Sequence, residues 1–243
     1  MKRIACFGDV HGALNLLTEL YSKLSHESLD EIWHLGDLID RGPDPGGVVS
    51  FCREHGIRGV LGNHEGGLIE KNLKVRLPPK NKDKLRSYEY LLANPLDLQY
   101  LMDLPKIHLD LENNALLVHA GVWPWTPFYR QEEVNDGRLV CHVGMAHPQQ
   151  PGASRWYTYD SRRKVSEEQL REAGWVRWYE AYDGSLDVYC GHRSVGKPEI
   201  YQRPGCGRSI FLDTGAHFTG KLTACIVGPE PRFISTGPSD QPR

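Results

Sequence analysis

The sequence predicts an α/β fold, because short apolar runs alternate with helical stretches and each apolar run ends in a polar cluster. Residues 3–7 and 32–35 have the pattern of buried strands, and both runs end in Gly-Asp. Between them, residues 12–24 carry leucines at helical spacing on one face. A third apolar run, residues 57–61, ends in Gly-Asn-His-Glu. This alternation is typical of a sheet with helical crossovers.

The rest of the chain predicts further elements of both kinds. A helix is expected around residues 48–55, and another over residues 88–104 with a break at Pro95. A β-hairpin is expected over residues 107–119, turning at an Asn-Asn pair. The later elements are predicted over residues 167–180 for a helix, and 186–190, 209–212 and 222–227 for strands.

Two segments look like loops, and we expect substrate choice to depend on them. Residues 75–87 are basic with a Pro-Pro break, which indicates an exposed connection. Residues 123–165 are rich in proline, glycine and aromatic residues and have no assigned elements. We expect a single domain over 1–243, with a disordered tail over 235–243. Core packing is the favoured interpretation for most of the tryptophans, although they could stack a base: Trp123, Trp125, Trp156, Trp175 and Trp178.

The composition is that of an ordinary globular protein and excludes strong global attraction to polyanions. The chain has 29 basic and 31 acidic residues and a net charge of -2, which gives no support for nucleic-acid or membrane binding. No run approaches the roughly 20 apolar residues of a membrane span. The six cysteines are scattered without a CxxC pair, which favours reduced thiols. With no signal-peptide pattern at the start, we expect a cytoplasmic protein.

The polar clusters that follow the strands carry the side chains that hard divalent metals use. Loops at the carboxyl ends of strands converge on one crevice in open α/β sheets, so these side chains should meet in space. Carboxylate, imidazole and amide oxygen are all represented, in sufficient number for two ions rather than one. The candidate ligands are Asp9, His11, Asp37, Asn63, His119 and His192.

These clusters also form a recognisable set of motifs. In order they are GDVHG (8–12), GDLIDRG (36–42), GNHE (62–65), HAG (119–121) and GH (191–192). The set resembles the calcineurin-like metallophosphoesterases. The Asp-Arg of GDLIDRG resembles the phosphoprotein-phosphatase-type branch, which includes symmetrical diadenosine tetraphosphate hydrolases. The later segment LDTGAHFTGKLTA (212–224) is similar to closing strands of bacterial members, and it leaves open a contact role for His217.

The resemblance implies a metallophosphoesterase-type β-sandwich flanked by helices, with the metal site at the carboxyl ends of the strands. Asp9 and His11 would bind the first metal, and Asp37 would bridge both. The second metal would be completed by Asn63, His119 and His192. The ions would be manganese in the first instance, with iron or zinc as alternatives.

The resemblance also implies roles for three residues that do not bind metal. His64 would be the general acid for the leaving oxygen, and Asp40 would orient it and favour its protonated form. Arg41 would bind a phosphate oxygen through its planar guanidinium. Two metal ions lower the pKa of a shared water towards about 7, so direct attack by metal-bound hydroxide is expected, without a covalent intermediate.

The substrate is less well specified than the chemistry. The leading hypothesis is a phosphatase of phosphomonoesters, including phosphoproteins, and the alternative is a symmetrical bis(5'-nucleosyl)-tetraphosphate hydrolase that yields ADP. A noncatalytic binding scaffold is a third hypothesis, although no ligand of the motif set is missing. The sequence indicates neither oligomeric state nor the second phosphate-binding arginine, whose candidates are Arg130, Arg155, Arg162, Arg163 and Arg193.

Overall fold

Two five-stranded sheets form the centre of the structure, a computed structural model that describes residues 1–131, 139–150, 154–155 and 166–237. The sheets have the strand orders β13-β12-β1-β2-β3 and β10-β11-β9-β5-β4, and a small third sheet has the order β7-β6-β8. In chain order the strands are β1 (Ile4–Phe7), β2 (Glu31–His34), β3 (Arg58–Gly59), β4 (Ile107–Asp110), β5 (Ala115–Val118), β6 (Met145–Ala146), β7 (Ser154–Arg155), β8 (Val176–Arg177), β9 (Asp187–Cys190), β10 (Glu199–Gln202), β11 (Arg208–Phe211), β12 (Thr223–Ile226) and β13 (Arg232–Ser235).

Helices lie outside the two large sheets, and most are short. A π-helical turn, Ile69–Leu73, continues the third helix directly. The helices are α1 (Leu14–Leu24), α2 (Pro45–Glu54), α3 (Asn63–Leu68), α4 (Lys82–Ala93), α5 (Pro95–Met102), α6 (Glu167–Glu172), α7 (Trp178–Ala181) and α8 (Ala216–Thr219). None of the helices described is long and apolar enough to cross a membrane.

The strand β1 shows how alternating side chains build two layers of core. Ile4 and Cys6 belong to a buried cluster that also contains Tyr189 of the second sheet, so they fill the space between the sheets. Ala5 and Phe7 belong to a different cluster with the leucines of α1 and the valines of α2. Since successive side chains of a strand point to opposite faces, one strand serves both layers. The predicted α/β sandwich flanked by helices is confirmed.

The motifs follow the carboxyl ends of their strands. Parallel pairing of these strands brings those ends to the same edge of each sheet. In the first sheet, β1 pairs in parallel with β2, and β2 with β3. In the second sheet, β5 pairs in parallel with β9. The predicted hairpin is also confirmed as β4 and β5, which pair antiparallel. The strands β10 and β13, at the edges of the two sheets, were not predicted.

The prediction of an exposed loop up to residue 87 is wrong for its last six residues. Helix α4 begins at Lys82 because the side chain of Asn81 accepts hydrogen bonds from the backbone N–H groups of Asp83 and Lys84. Ser87, on the inner face of this helix, is buried. The helix therefore packs against the motif loops instead of extending the connection.

The disordered tail was predicted to start too early. Ser235 is the last residue of β13 and pairs with Thr223 of β12. Thr236 is buried, and its hydroxyl oxygen accepts a hydrogen bond from the backbone N–H of Leu222 at 2.8 Å. These contacts hold the chain through residue 236, and residues 238–243 lie outside the described ranges.

Three of the tryptophans occupy the positions that core packing predicts. Trp123, Trp175 and Trp178 are buried, whereas Trp125 keeps 39% of its surface exposed. Trp156 lies outside the described residues.

Candidate metal centre

The predicted ligands converge at the edge where both large sheets end. Asp9 and His11 follow β1, Asp37 follows β2, and Asn63 begins α3 just beyond β3. From the second sheet, His119 follows β5 and His192 follows β9. The two sheets thus each contribute donors to one cluster, which the chain assembles from five separate loops.

Four donor atoms form the larger part of this cluster. His119 Nε2 lies 2.9 Å from Asn63 Oδ1, 3.0 Å from His192 Nδ1 and 3.4 Å from Asp37 Oδ2. Around an ion with ligand bonds of about 2.1 Å, neighbouring donor atoms lie about 3 Å apart. The spacing of these atoms therefore fits a single divalent cation between them.

The second donor set shares one atom with the first. His11 Nε2 lies 3.8 Å from Asp9 Oδ2 and 3.7 Å from Asp37 Oδ2. The other oxygen of Asp37, Oδ1, accepts a hydrogen bond from the backbone N–H of His64 at 2.9 Å. Asp37 Oδ2 is consequently the oxygen that faces both His11 and His119, which is the position of a bridging ligand.

The hydrogen bonds of two imidazoles leave their Nε2 atoms directed at the donor cluster. His11 Nδ1 donates to the carbonyl of Ile39 at 2.9 Å, and His119 Nδ1 donates to the carbonyl of Leu35 at 2.7 Å. Once both rings are neutral, as metal binding requires, each Nε2 presents a lone pair towards carboxylate or amide oxygens that are themselves acceptors. Donation from Nδ1 to a carbonyl is also the usual second contact of a histidine ligand.

The pKa shifts of the buried acidic groups and histidines are also consistent with a site that binds positive charge. Burial raises the pKa of Asp9 well above its usual range, and the neighbouring Asp213 carboxylate adds to the rise. Burial lowers the pKa of His11 to about 3, so this ring is neutral. Burial also favours neutral His119, but the Asp37 carboxylate outweighs it and raises the pKa of His119 to about 10. A cation that binds there displaces this proton.

His64 stands beside the donor sets and is oriented by a buried chain of hydrogen bonds. Its Nδ1 donates to Asp40 Oδ2 at 2.7 Å, and its Nε2 lies 3.9 Å from Asp37 Oδ2. The other oxygen of Asp40 accepts from the hydroxyl of Ser87 at 2.8 Å. The predicted hydrogen bond between His64 and Asp40 is therefore present, and Ser87 of α4 holds Asp40 in place.

Glu65 is a structural residue of the site to which the sequence analysis gave no role. It is completely buried, and its carboxylate accepts hydrogen bonds from the backbone N–H groups of Asp37, Leu38 and Ile39 at 3.0, 2.8 and 3.1 Å. Burial raises its pKa to about 7, and repulsion from Asp37 contributes. The signal that could have found it is its place as the last residue of GNHE.

The backbone of the site is tightly packed and unusually bent. Gly36 has a φ of +90°, and a Cβ atom there would lie 2.5 Å from Gly62 Cα and 2.8 Å from His119 Nδ1. Positive φ is uncommon outside glycine and collects at functional sites. Five of the eight such residues in the described ranges belong to this cluster, namely His11, Asp37, Asp40, Arg41 and His192.

Arg41 lies at the exposed rim of the site rather than within the donor sets. Its Nη1 donates to His217 Nε2 at 3.3 Å, and the His217 ring lies 5.1 Å from the ring of His11, centroid to centroid. His142 is a second rim residue without a predicted role, with its ring 6.4 Å from that of His192.

Two of the five candidates for the second phosphate-binding arginine have described side chains, Arg130 and Arg193. Arg193 donates to Glu199 at 3.0 Å and stacks on the ring of Phe211 at 4.9 Å, so structural contacts occupy it. Arg130 is exposed on a 3₁₀ turn. For the other three candidates, the side chain of Arg155 and all of Arg162 and Arg163 fall outside the described part of the chain.

Comparison with known proteins establishes the class. Residues 2–206 match the calcineurin-like phosphoesterase family. The chain therefore belongs to the calcineurin-like phosphoesterase family, as its motifs predicted.

Individual relatives of the chain are named for one class of substrate. The chain is 38% identical over 161 residues to the symmetrical bis(5'-nucleosyl)-tetraphosphatase of Hamiltonella defensa subsp. Acyrthosiphon pisum, covering 59% of this chain and 56% of that protein. It is 27% identical over 252 residues to the asymmetrical bis(5'-nucleosyl)-tetraphosphatase PrpE of Halalkalibacterium halodurans, covering 97% and 93%. The chain spans about half the length of the symmetrical relatives it matches.

A solved structure resembles the whole chain. It is a crystal structure described only provisionally as a diadenosine tetraphosphatase, with a TM-score of 0.72 and 25% identity. The match covers 99% of this chain and 95% of the other.

Proposed function

We propose that this protein hydrolyses bis(5'-nucleosyl) tetraphosphates, with two divalent cations held by the cluster around Asp37. The proposed substrate rests on relatives named for it, which match 59% of the chain at 38% identity and 97% of the chain at 27% identity. The phosphomonoester hypothesis remains the competing one, because the motifs are common to both substrate classes.

The division of the ligands follows the geometry. Asp9, His11 and Asp37 would hold one cation, with Asp37 Oδ2 shared. The other cation would be held by the same oxygen together with Asn63, His119 and His192. When bound, such a pair of ions supplies an activated water at neutral pH and neutralises charge on the phosphoryl oxygens. We propose manganese, since oxygen and imidazole donors suit it.

His64 would supply the proton for the leaving oxygen. Because its Nδ1 donates to the Asp40 carboxylate, the Nε2 side of the ring is directed at the cluster and can carry the transferable proton. Asp40 cannot turn away, since its second oxygen is held by Ser87. Arg41 would bind a phosphate oxygen at the open rim, where its guanidinium has donors beyond the one given to His217.

Symmetrical cleavage is the first choice for the position of attack, since the relatives of higher identity are symmetrical enzymes. Asymmetrical cleavage is a specific second candidate, because PrpE is the relative that matches this chain over 97% of its length. The two differ in products, which are two ADP for the first, and ATP with AMP for the second.

A substrate panel tests the proposal. The full chain is loaded with manganese and incubated with diadenosine tetraphosphate, an aryl phosphate and a phosphoserine peptide, and the products are separated by anion exchange. We expect ADP alone from diadenosine tetraphosphate, at a kcat/KM well above those for the monoesters. ATP and AMP would establish the asymmetrical reaction, and turnover of monoesters alone would reject the proposed substrate.

A further inference from the structure

A short turn at the rim leads from the donor cluster to solvent through two aromatic rings. The turn runs from Asp213 to Gly220 and contains α8. The ring of His217 lies 5.1 Å from that of His11, and the ring of Phe218 lies a further 4.8 Å from that of His217. Phe218 is 63% exposed, which is unusual for a large apolar side chain beside a polar site.

The turn is held rigidly, so the exposure of Phe218 is imposed by the backbone. Thr219 Oγ1 lies 2.7 Å from the carbonyl of Thr214, and Thr214 Oγ1 donates to the carbonyl of Lys221 at 2.8 Å. Asp213 Oδ1 accepts from the backbone N–H of Gly215 at 2.8 Å. Gly215 has a φ of +76°, and a Cβ atom there would overlap the Phe218 ring. The ring therefore folds back over the turn and lies against Gly215.

The polar end of this array is the contact between Arg41 and His217 beside the donor cluster. The guanidinium of Arg41 can only donate, so His217 Nε2 accepts, and the proton of the neutral ring is on Nδ1. His217 Nδ1 is buried and has no hydrogen-bond partner among the described residues. His217 thereby keeps Arg41 next to His11, and Phe218 lies on the outer side of His217.

The order of chemistries along the rim is cation donors, guanidinium with imidazole, and then an exposed aromatic face. A nucleoside diphosphate has the same order, with phosphates at one end and a flat base at the other. Stacking on an exposed aromatic ring is a general way to bind a base, and a rigid platform loses little entropy on binding.

We propose that Phe218 is the base-stacking residue of a nucleoside subsite, and that His217 links it to Arg41 as a positioning residue. The inference rests on the proposed function, and it names which part of the protein binds one nucleoside of the dinucleotide. No hydrogen bond to the base is required, so the subsite accepts different bases.

Binding measurements separate the base from the phosphates. Manganese-loaded full-length protein is titrated calorimetrically with ADP and with inorganic pyrophosphate. Phe218→Ala should weaken ADP binding by about tenfold or more, in line with the usual contribution of one stacked base, and leave pyrophosphate binding unchanged. Phe218→Trp, which retains a flat aromatic face, should bind ADP at least as well as the unmodified protein.

A matched control comes from Tyr201, a 38% exposed aromatic residue on β10 at the far edge of the second sheet. Tyr201→Ala should leave both affinities unchanged. His217→Gln, which keeps an acceptor for Arg41, should preserve pyrophosphate affinity better than His217→Ala does. Absent ADP binding by the unmodified protein, an unchanged ADP affinity in Phe218→Ala, or equal losses for ADP and pyrophosphate would each overturn the subsite.

Hydrolysis of diadenosine tetraphosphate by the same preparations distinguishes the two proposals. Hydrolysis by the unmodified protein, together with equal ADP affinities for the unmodified protein and Phe218→Ala, would reject the subsite and retain the proposed function. Phe218-dependent ADP binding without any hydrolysis of diadenosine tetraphosphate would reject the proposed function and retain a nucleotide subsite.

Discussion

At the scale of single residues, the two oxygens of Asp37 have different partners. Oδ1 accepts the backbone N–H of His64, while Oδ2 faces both His11 and His119. A substitution that spares the first contact and weakens the second therefore isolates the bridging role from the folding of the loop.

We expect Asp37→Asn to deplete both cations, because a neutral amide at the shared position removes negative charge from both donor sets at once. Metal content after dialysis, measured by inductively coupled plasma mass spectrometry, checks this. Asp103→Asn, at an exposed position in the turn after α5, is the control and should keep full content. Two retained ions per chain in Asp37→Asn would contradict the bridging assignment.

His64→Ala should keep both cations and lose activity, since its imidazole is assigned to proton transfer and not to ligation. On an alkyl phosphate, we expect kcat to fall by about 10²–10⁴-fold, the usual contribution of general acid catalysis. The loss on diadenosine tetraphosphate should be smaller, because a nucleotide phosphate leaves more easily than an alkoxide. Steady-state rates and metal content are measured on one preparation, and loss of metal would disprove the assignment.

At the scale of elements, α3 and α4 determine the shape of the loop after β2. Glu65 of α3 holds three consecutive N–H groups of that loop, and Ser87 of α4 holds Asp40 within it. The loop carries Asp37 and Asp40, so the positions of both carboxylates depend on contacts with α3 and α4.

Glu65→Gln should destabilise the fold. The three backbone N–H groups now donate to two carboxylate oxygens, whereas an amide offers them only one oxygen. We expect the free energy of unfolding of the metal-free protein to fall by about 1–3 kcal/mol, the usual cost of unsatisfied buried groups. Urea denaturation followed by circular dichroism measures it. Glu70→Gln, on the exposed side of the following π-helical turn, should change stability by less than about 0.5 kcal/mol. Similar stabilities for both variants would refute the role of Glu65.

The sequence was sufficient for the parts of this site that follow strands, and insufficient for those that depend on distant contacts. Asp9, Asp37 and His119 each follow an apolar run, so their placement at one sheet edge could be predicted. The contact between Ser87 and Asp40 joins residues that are 47 positions apart, so no local sequence pattern predicts it. Strands β10 and β13 were missed because they lie at sheet edges, where partly exposed strands lack a strong apolar signal.

At the scale of the whole molecule, the predicted reduced state of the cysteines matches their placement. All six are free, and all except Cys206 are buried. Burial raises the pKa of each buried thiol, which keeps it in the unreactive protonated form.

Native protein should therefore show one reactive thiol per chain towards Ellman's reagent, and six after denaturation. Absorbance of the released thiolate counts them, and Cys206→Ser should remove the single fast-reacting group. A second fast thiol in the native protein would mean that a segment carrying a buried cysteine opens on the timescale of the assay.

The origin of the donors in two different sheets couples activity to completion of folding. Asp9 and Asp37 come from the first sheet and His119 and His192 from the second, so neither sheet alone can retain a full complement of ligands. A chain that has formed only one half of its sandwich, whether newly synthesised or partly denatured, lacks part of this ligand cluster. Bound metal in turn adds binding free energy to the association of the two halves. Completion of the candidate metal site therefore requires both sheets of the sandwich.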